Sequence, residues 1–188
     1  MKPMASHRLV PLLAAALAIG AGPAGPALAQ TTPAPSPDTA RLEGSFQLAG
    51  RVTVAEHIRG EHVGERVTRL WTFASLCPTG QCQTVVLVRH RHAGIDTVVL
   101  DLRSPGMYSG QGRFAAPLSC DGRTYPKGAR VPFTITVNID TAVLVNDVVV
   151  AGRVSATYIN AMRINHTPCV AGLGHDAARY HGHLIVPA

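Results

Sequence analysis

The residues able to do chemistry in this 188-residue chain are four cysteines, two pairs of closely spaced histidines and a set of arginines. An even number of cysteines in an oxidising compartment pairs into disulfides. Cys77 and Cys82 flank a turn, Cys-Pro-Thr-Gly-Gln-Cys, and chain proximity makes their union hard to avoid. Cys120 and Cys169 are left to close a loop of about 50 residues, worth roughly 4 kcal/mol in the chain-entropy model. A four-cysteine zinc site would need close pairs at both ends, and 120 and 169 form none.

The histidines raise a metal reading. His90-Arg91-His92 and His181-Gly182-His183 each place two imidazoles on one face of a strand, as several zinc and copper sites require. No acidic or cysteine ligand sits at a telling distance from either pair. His57-Ile-Arg-Gly-Glu61-His62 misses the H-x-x-E-H protease pattern by one residue and lacks its helix. We therefore assign no metal ligand and no cofactor. Nucleophilic catalysis finds no G-x-S-x-G, and the cysteines are committed to disulfides. Asp96 and Asp101 have opposite strand parity and should not form a carboxylate pair. No glycine-rich loop leads into a helix to cradle phosphate. No catalytic residue is assigned, and the chain reads as non-enzymatic.

These groups must be positioned by strands. From Leu42 onward the apolar period is two: Phe46, Leu48, Val52 and Val54; Val67, Trp71 and Phe73; then Val131, Phe133, Ile135, Val137 and Ile139, with Thr134, Thr136 and Asn138 between them. That alternation marks half-buried antiparallel strands. Further strands are expected at 84–92, 95–103, 108–116, 142–145, 148–159 and 180–186. Turn material separates them, including Ser104-Pro105-Gly106, Asp121-Gly122, Pro126-Lys127-Gly128 and Asn146-Asp147. His175–Ala178 allow one helical turn. Eight or nine strands joined by short turns predict an all-β, antiparallel up-and-down barrel, with a two-sheet β-sandwich as the alternative. Gly50, Gly110, Gly112 and Gly152 inside strand patterns favour the barrel, because such glycines mark bends where a sheet curls.

The N-terminal 29 residues read as a secretion signal. Lys2, His7 and Arg8 precede an apolar stretch from Leu9 to Ile19, and Ala27-Leu28-Ala29 matches the signal-peptidase pattern. Residues 30–41 form a Pro-rich linker expected to be extended and coreless, and 42–188 form one β-domain. Removing Lys2 and Arg8 from 17 basic residues leaves 15 against 11 acidic, a net +4 rather than +6. Fourteen of the 15 are Arg, spread along the strands without an aromatic stacking platform, so nucleic acid is not an expected partner. No second long apolar run could hold the chain in a membrane. The expected product is secreted.

If Cys77 faces Cys82, paired residues sum to 159. Trp71 then opposes Val88, Phe73 opposes Val86, Arg69 opposes His90, and Val67 opposes His92, all on one face. In a barrel, Trp71 and Phe73 point inward, with Arg69, His90 and His92 toward one mouth. An apolar lining with a few convergent polar groups suits a small ligand, so Arg69, Trp71, Phe73, His90 and His92 are the candidate binding residues.

Arg69-Leu-Trp71-Thr-Phe73, Cys77-Pro-x-Gly80-x-Cys82 and a Val-rich strand ending Arg89-His90-Arg91 resemble a group of exported actinobacterial disulfide-stapled β-domains of no assigned activity. The resemblance rests on residues 69–91. It implies export and a β fold and supplies no catalytic residue. The expected function is a binding module for a small apolar ligand or an envelope partner. The alternatives are a His-dependent metal-binding protein and a structural cell-envelope domain without a ligand.

Overall fold

Alternation in the chain becomes nine strands: β1 (Gly44–Glu56), β2 (Arg66–Ser75), β3 (Thr84–Arg91), β4 (Gly94–Ser104), β5 (Met107–Cys120), β6 (Arg123–Val145), β7 (Val148–Asn160), β8 (Ile164–Asn165) and β9 (His175–Ile185). The computed structural model describes residues 33–58, 60–91, 94–170 and 172–185. The expected signal, the first linker residues 30–32 and His92 lie outside them. The hydrogen-bonded order is β5-β4-β3-β2-β1-β9-β7-β6, and β6 pairs again with β5. Eight antiparallel strands thus close an up-and-down barrel, with β8 a two-residue addition to β6. Closure gives each of the eight strands a neighbour on both sides.

The parity of β6 is as expected: Val131, Phe133, Ile135, Val137 and Ile139 are all buried, and Thr134, Thr136 and Asn138 are not. The strand is longer than expected. It runs 23 residues without a break, so Pro126-Lys127-Gly128 lies within it rather than in a turn. Pro126 sits where only β5 is the neighbour, beyond the ladder that begins with Thr134 of β6 and Ile159 of β7, and a missing N–H costs least there. Bulges near Thr141 absorb the curvature.

The hairpins turn as their residues demand. Asp121 and Gly122 have φ of 50° and 71°, and Asn146 and Asp147 have 48° and 63°. Both are two-residue turns with left-handed backbone at each centre, the form whose twist matches the flanking strands. Elsewhere glycine provides room. A Cβ on Gly50 would overlap the Tyr180 ring, and one on Gly112 would overlap the Phe133 ring. These two glycines let aromatic rings cross neighbouring backbone inside the barrel.

One end of the barrel is filled. Phe46, Leu48, Phe73, Val85, Leu87, Leu100, Tyr108, Ile135 and Val137 are all buried there, with Phe46 and Phe73 edge-to-face at 5.4 Å. The segment before β1 closes this end and is not an open tether. Ser36 caps a 3₁₀ turn over Pro37–Thr39, Arg41 bridges Val150 in parallel, and Ala40 and Leu42 are fully buried. The linker's second half therefore belongs to the domain, whose compact unit begins at Ala34. Apolar side chains at 40 and 42 have a place to go because an open barrel end exposes core.

Both disulfides are the expected ones, Cys77–Cys82 and Cys120–Cys169, and they suit an oxidising environment. The first lies in the loop at the filled end, where the Tyr108 hydroxyl donates to the Cys82 carbonyl at 2.9 Å. The second ties the tip of the β5–β6 hairpin to the β7–β9 connection. Asn165 prepares that connection: its Nδ2 donates to the Cys169 carbonyl at 2.6 Å, and its Oδ1 accepts from the Thr167 N–H and hydroxyl, both at 2.7 Å. His175–Ala178 begin β9 rather than making a helical turn, because β1 and β7 offer them ladder partners on both sides.

Replacing Cys120 and Cys169 together by Ala should lower unfolding free energy by about 4 kcal/mol, the chain-entropy value for a loop of this length. Urea denaturation followed through Trp71, the chain's single tryptophan, checks this.

Candidate functional site

At the other end the barrel does not fill itself. A cavity of about 920 Å³ lies among Trp71, Arg89, Phe114, Tyr158 and Tyr180, and its outer part is lined from the loop after β1, the β5–β6 hairpin and the β7–β9 connection. The β4–β5 ladder is only three pairs long, ending at Asp101 with Ser109. Above that point β5 continues with β6, and residues 115–121 form part of the cavity wall. The Cys120–Cys169 bond holds that wall to the β7–β9 connection.

The floor is built by β3 and β4. Inward positions on β3 run Val85, Leu87, Arg89, Arg91, so the strand passes from core to charge as it reaches the cavity. Arg89 pairs directly with Asp96 of β4. Arg89 is only 5% exposed. Its guanidinium carbon lies 4.3 Å from the Phe133 ring centre and 5.1 Å from that of Tyr158. Arg91 lies 4.0 Å over Phe114. Such stacking is worth about 2 kcal/mol when desolvated.

Asp96 is shared by both cations. Its Oδ1 accepts from Arg91 Nε in a short contact, and its Oδ2 is 3.1 Å from Arg89 Nε. The second contact is close enough for an ion pair but off the line of a hydrogen bond, so neither Arg89 Nε nor Asp96 Oδ2 has a hydrogen-bond partner among the described residues. Burial lowers the Arg89 pKa, and Asp96 opposes that by favouring the charged form. The floor thus holds two guanidiniums and one carboxylate.

The walls are aromatic. Trp71 and Tyr180 are 5.4 Å apart, as are Phe133 and Tyr158. Burial raises the hydroxyl pKa values of Tyr158 and Tyr180 above the ordinary tyrosine value, with Asp176 adding to the rise and the nearby arginines opposing it. Both hydroxyls remain donors at neutral pH. Higher up, Arg163 pairs with Asp176 at 3.1 Å. Glu61 has a raised pKa, first through burial and then through Asp176.

The expected site residues divide. Arg69 and Trp71 line the cavity. Phe73 is buried below it in the filled core and lines nothing. His90 is on the outside of the barrel, exposed and opposite Leu70. The β2–β3 pairs sum to 160, not 159: Trp71 faces Arg89 and Phe73 faces Leu87. The loop between the last pair, Ser75 and Val85, is irregular, with Gly80 at φ 65°, so the disulfide does not transmit register into the ladder. A slip of one exchanges the two faces of β3. Arg89 and Arg91, expected outside, are therefore inside. Asp96 and Asp101 do have opposite parity: Asp96 points in, and Asp101 is half exposed beside Arg103. Arg89, Arg91, Asp96, Tyr158 and Tyr180 were missed. The signal for the arginines was the in-phase series 85, 87, 89, 91.

His181 and His183 are exposed on the outside of β9, and β1 and β2 separate that strand from β3 in the sheet. Among the described residues no group of three or more His, Cys, Asp or Glu could hold a metal ion. No protein-family model, no curated protein and no solved structure matches the chain.

Replacing Asp96 by Ala should cost about 3–5 kcal/mol, since it leaves two buried guanidiniums uncompensated. Arg103→Ala, which breaks the exposed pair with Asp101, should cost under about 1 kcal/mol. Urea midpoints of the two variants decide this. Alkali supplies a separate test. Tyr108, Tyr158 and Tyr180 have folded pKa values above the ordinary 10.0. The unfolded chain releases these protons near pH 10 while the folded chain keeps them, so their stabilising contribution is full below that pH and is lost as pH rises above it. The urea midpoint should fall above about pH 10. Absorbance at 295 nm should show these tyrosines ionising only as the protein unfolds.

Proposed function

We propose that this protein is an exported, non-enzymatic binding module that holds a small molecule in the open end of its barrel. The observation that carries the reading is the cavity itself, about 920 Å³ with aromatic walls and a few convergent polar groups. That size and make-up are typical of small-molecule sites, which span roughly 300–1,000 Å³. A barrel of eight strands has an interior that side chains can fill, and here they fill only one half. The cavity is also held open: the Cys120–Cys169 bond and the Arg163–Asp176 pair brace its outer wall.

Binding rather than catalysis fits the chemistry of the lining. The arginines are stacked and ion-paired, the tyrosines keep their protons, and the Ser119 hydroxyl is shared with Thr124 at 2.9 Å. The reading of residues 1–29 as a removable signal, together with two disulfides, supports export. The outer face supports a water-soluble destination after removal of the signal. Arg51, Arg66, Arg153 and Arg179 are exposed along the strands, while the filled half of the interior is apolar. A membrane-spanning barrel has the reverse arrangement.

The test uses 1-aminoanthracene, a neutral fluorescent probe, with native protein and with Ala178→Phe, which adds a ring at a buried position lining the cavity. Saturable binding with one site per chain, abolished in the variant while its circular dichroism is unchanged, is the expected result. Absence of binding, or binding indifferent to Ala178→Phe, sinks the reading and favours a structural envelope domain.

A further inference from the structure

The cavity floor carries a charge imbalance that the fold does not need. Arg89 and Arg91 share the single carboxylate of Asp96. The order of these groups matters. Arg89 and Arg91 line the cavity, whereas Asp96 does not. A molecule entering the barrel therefore meets guanidinium surface and not its counter-ion. The Arg89 Nε faces Asp96 Oδ2 at 3.1 Å without a hydrogen bond, so the shared carboxylate only partly compensates this buried cation. A buried cation left short of partners is costly unless something completes it. Burying one net positive charge under aromatic rings would be a poor solution for stability alone, since apolar residues of similar volume serve at least as well.

Three features narrow what could complete it. The first is charge: two cations against one anion leave one unit, which matches a monoanion. A dianionic phosphate would exceed it. The second is shape. Guanidinium forks recognise planar carboxylates through paired hydrogen bonds, and Phe133, Tyr158 and Phe114 lie against these two guanidiniums. The third is the space above the floor. Trp71 and Tyr180 stand as a pair on the cavity wall, and Tyr158 and Phe114 also line it. Flat apolar surface is what such rings cover best.

We infer that the ligand is a monocarboxylic acid with a flat or otherwise apolar body, its carboxylate on Arg89 and Arg91 and its body among Trp71, Tyr180, Tyr158 and Phe114. The outer ring agrees with a single charge placed deep. Glu61, Glu65 and Asp176 stand there beside Arg69 and Arg163, so a second anionic group at the outer end would meet carboxylates. This inference rests on the cavity reading above and specifies its ligand.

The experiment compares 2-naphthoate with 2-naphthamide, which share a body and differ in charge, by isothermal titration calorimetry on the native protein. A charge-assisted contact should make the acid at least roughly tenfold tighter, the equivalent of about 1.4 kcal/mol. Arg89→Met should bring the ratio of acid to amide affinity down to about one, and Asp96 keeps Arg91 as its partner in that variant. If Arg89→Met does not fold, Arg91→Met is read in the same way. Equal or tighter binding of the amide by native protein overturns the inference and leaves the cavity reading intact. A preference for the acid that survives in the variant also overturns it. Binding of neither compound counts against the cavity reading itself.

Discussion

An arginine that is 95% buried dictates much of what surrounds it. Arg89 cannot discard its proton, so its neighbours must compensate the charge. They do so in two ways. Asp96 stands directly across the β3–β4 ladder, and the rings of Phe133 and Tyr158 lie against the guanidinium face. Each partner comes from a different strand: β4, β6 and β7. These strands are brought around Arg89 only if the sheet closes on itself. In an open sheet β3 and β7 would be four positions apart, across β2, β1 and β9. The charged floor and barrel closure are therefore one requirement seen from two sides.

Closure leaves one problem at each end. At the filled end Ala40 and Leu42 fold back over the core, and Arg41 completes the cover with backbone hydrogen bonds to Val149 and Ala151. At the cavity end β5 and β6 outrun their neighbours. Their extension would wave in solvent if nothing anchored it. The Cys120–Cys169 bond supplies the anchor, and Asn165 shapes the connection that brings Cys169 into reach. The Asn165-His-Thr167 triplet, which reads as a glycosylation acceptor in a eukaryotic host, has a structural use: its asparagine side chain organises backbone.

Legibility followed the asymmetry of each strand. Over residues 131–139 of β6 the odd positions are wholly apolar, with threonine and asparagine between them at 134, 136 and 138, so inside and outside could be told apart at once. In β3 the run Val85-Val86-Leu87-Val88 is apolar at both parities. Periodicity cannot choose between its faces, and the cysteines at the turn were the only guide to register. They misled by one residue, because a disulfide inside an irregular loop constrains distance and not ladder phase. The reversal of β3 descends from that slip: His90 moved out, Arg89 and Arg91 moved in. Asp96 was legible by parity but could not be recognised as a counter-ion until Arg89 faced it. Tyr158 and Tyr180 come from strands remote in sequence, and only closure brings them near Trp71.

The unfilled half of the barrel is best understood through the same charges. On β9 the inward positions above Tyr180 are Ala178 and Asp176, and both line the cavity. Small side chains face inward where Leu or Phe would close the space. Had they been large, the two guanidiniums would sit in a medium of low polarisability, where one net charge is least tolerable. Leaving room above the arginines keeps them in reach of water or of a ligand, while Asp96 pairs with both. Charge in the floor and emptiness above it thus support each other. Filling the cavity with apolar side chains would require neutralising the floor, and neutralising the floor would remove the reason for the cavity.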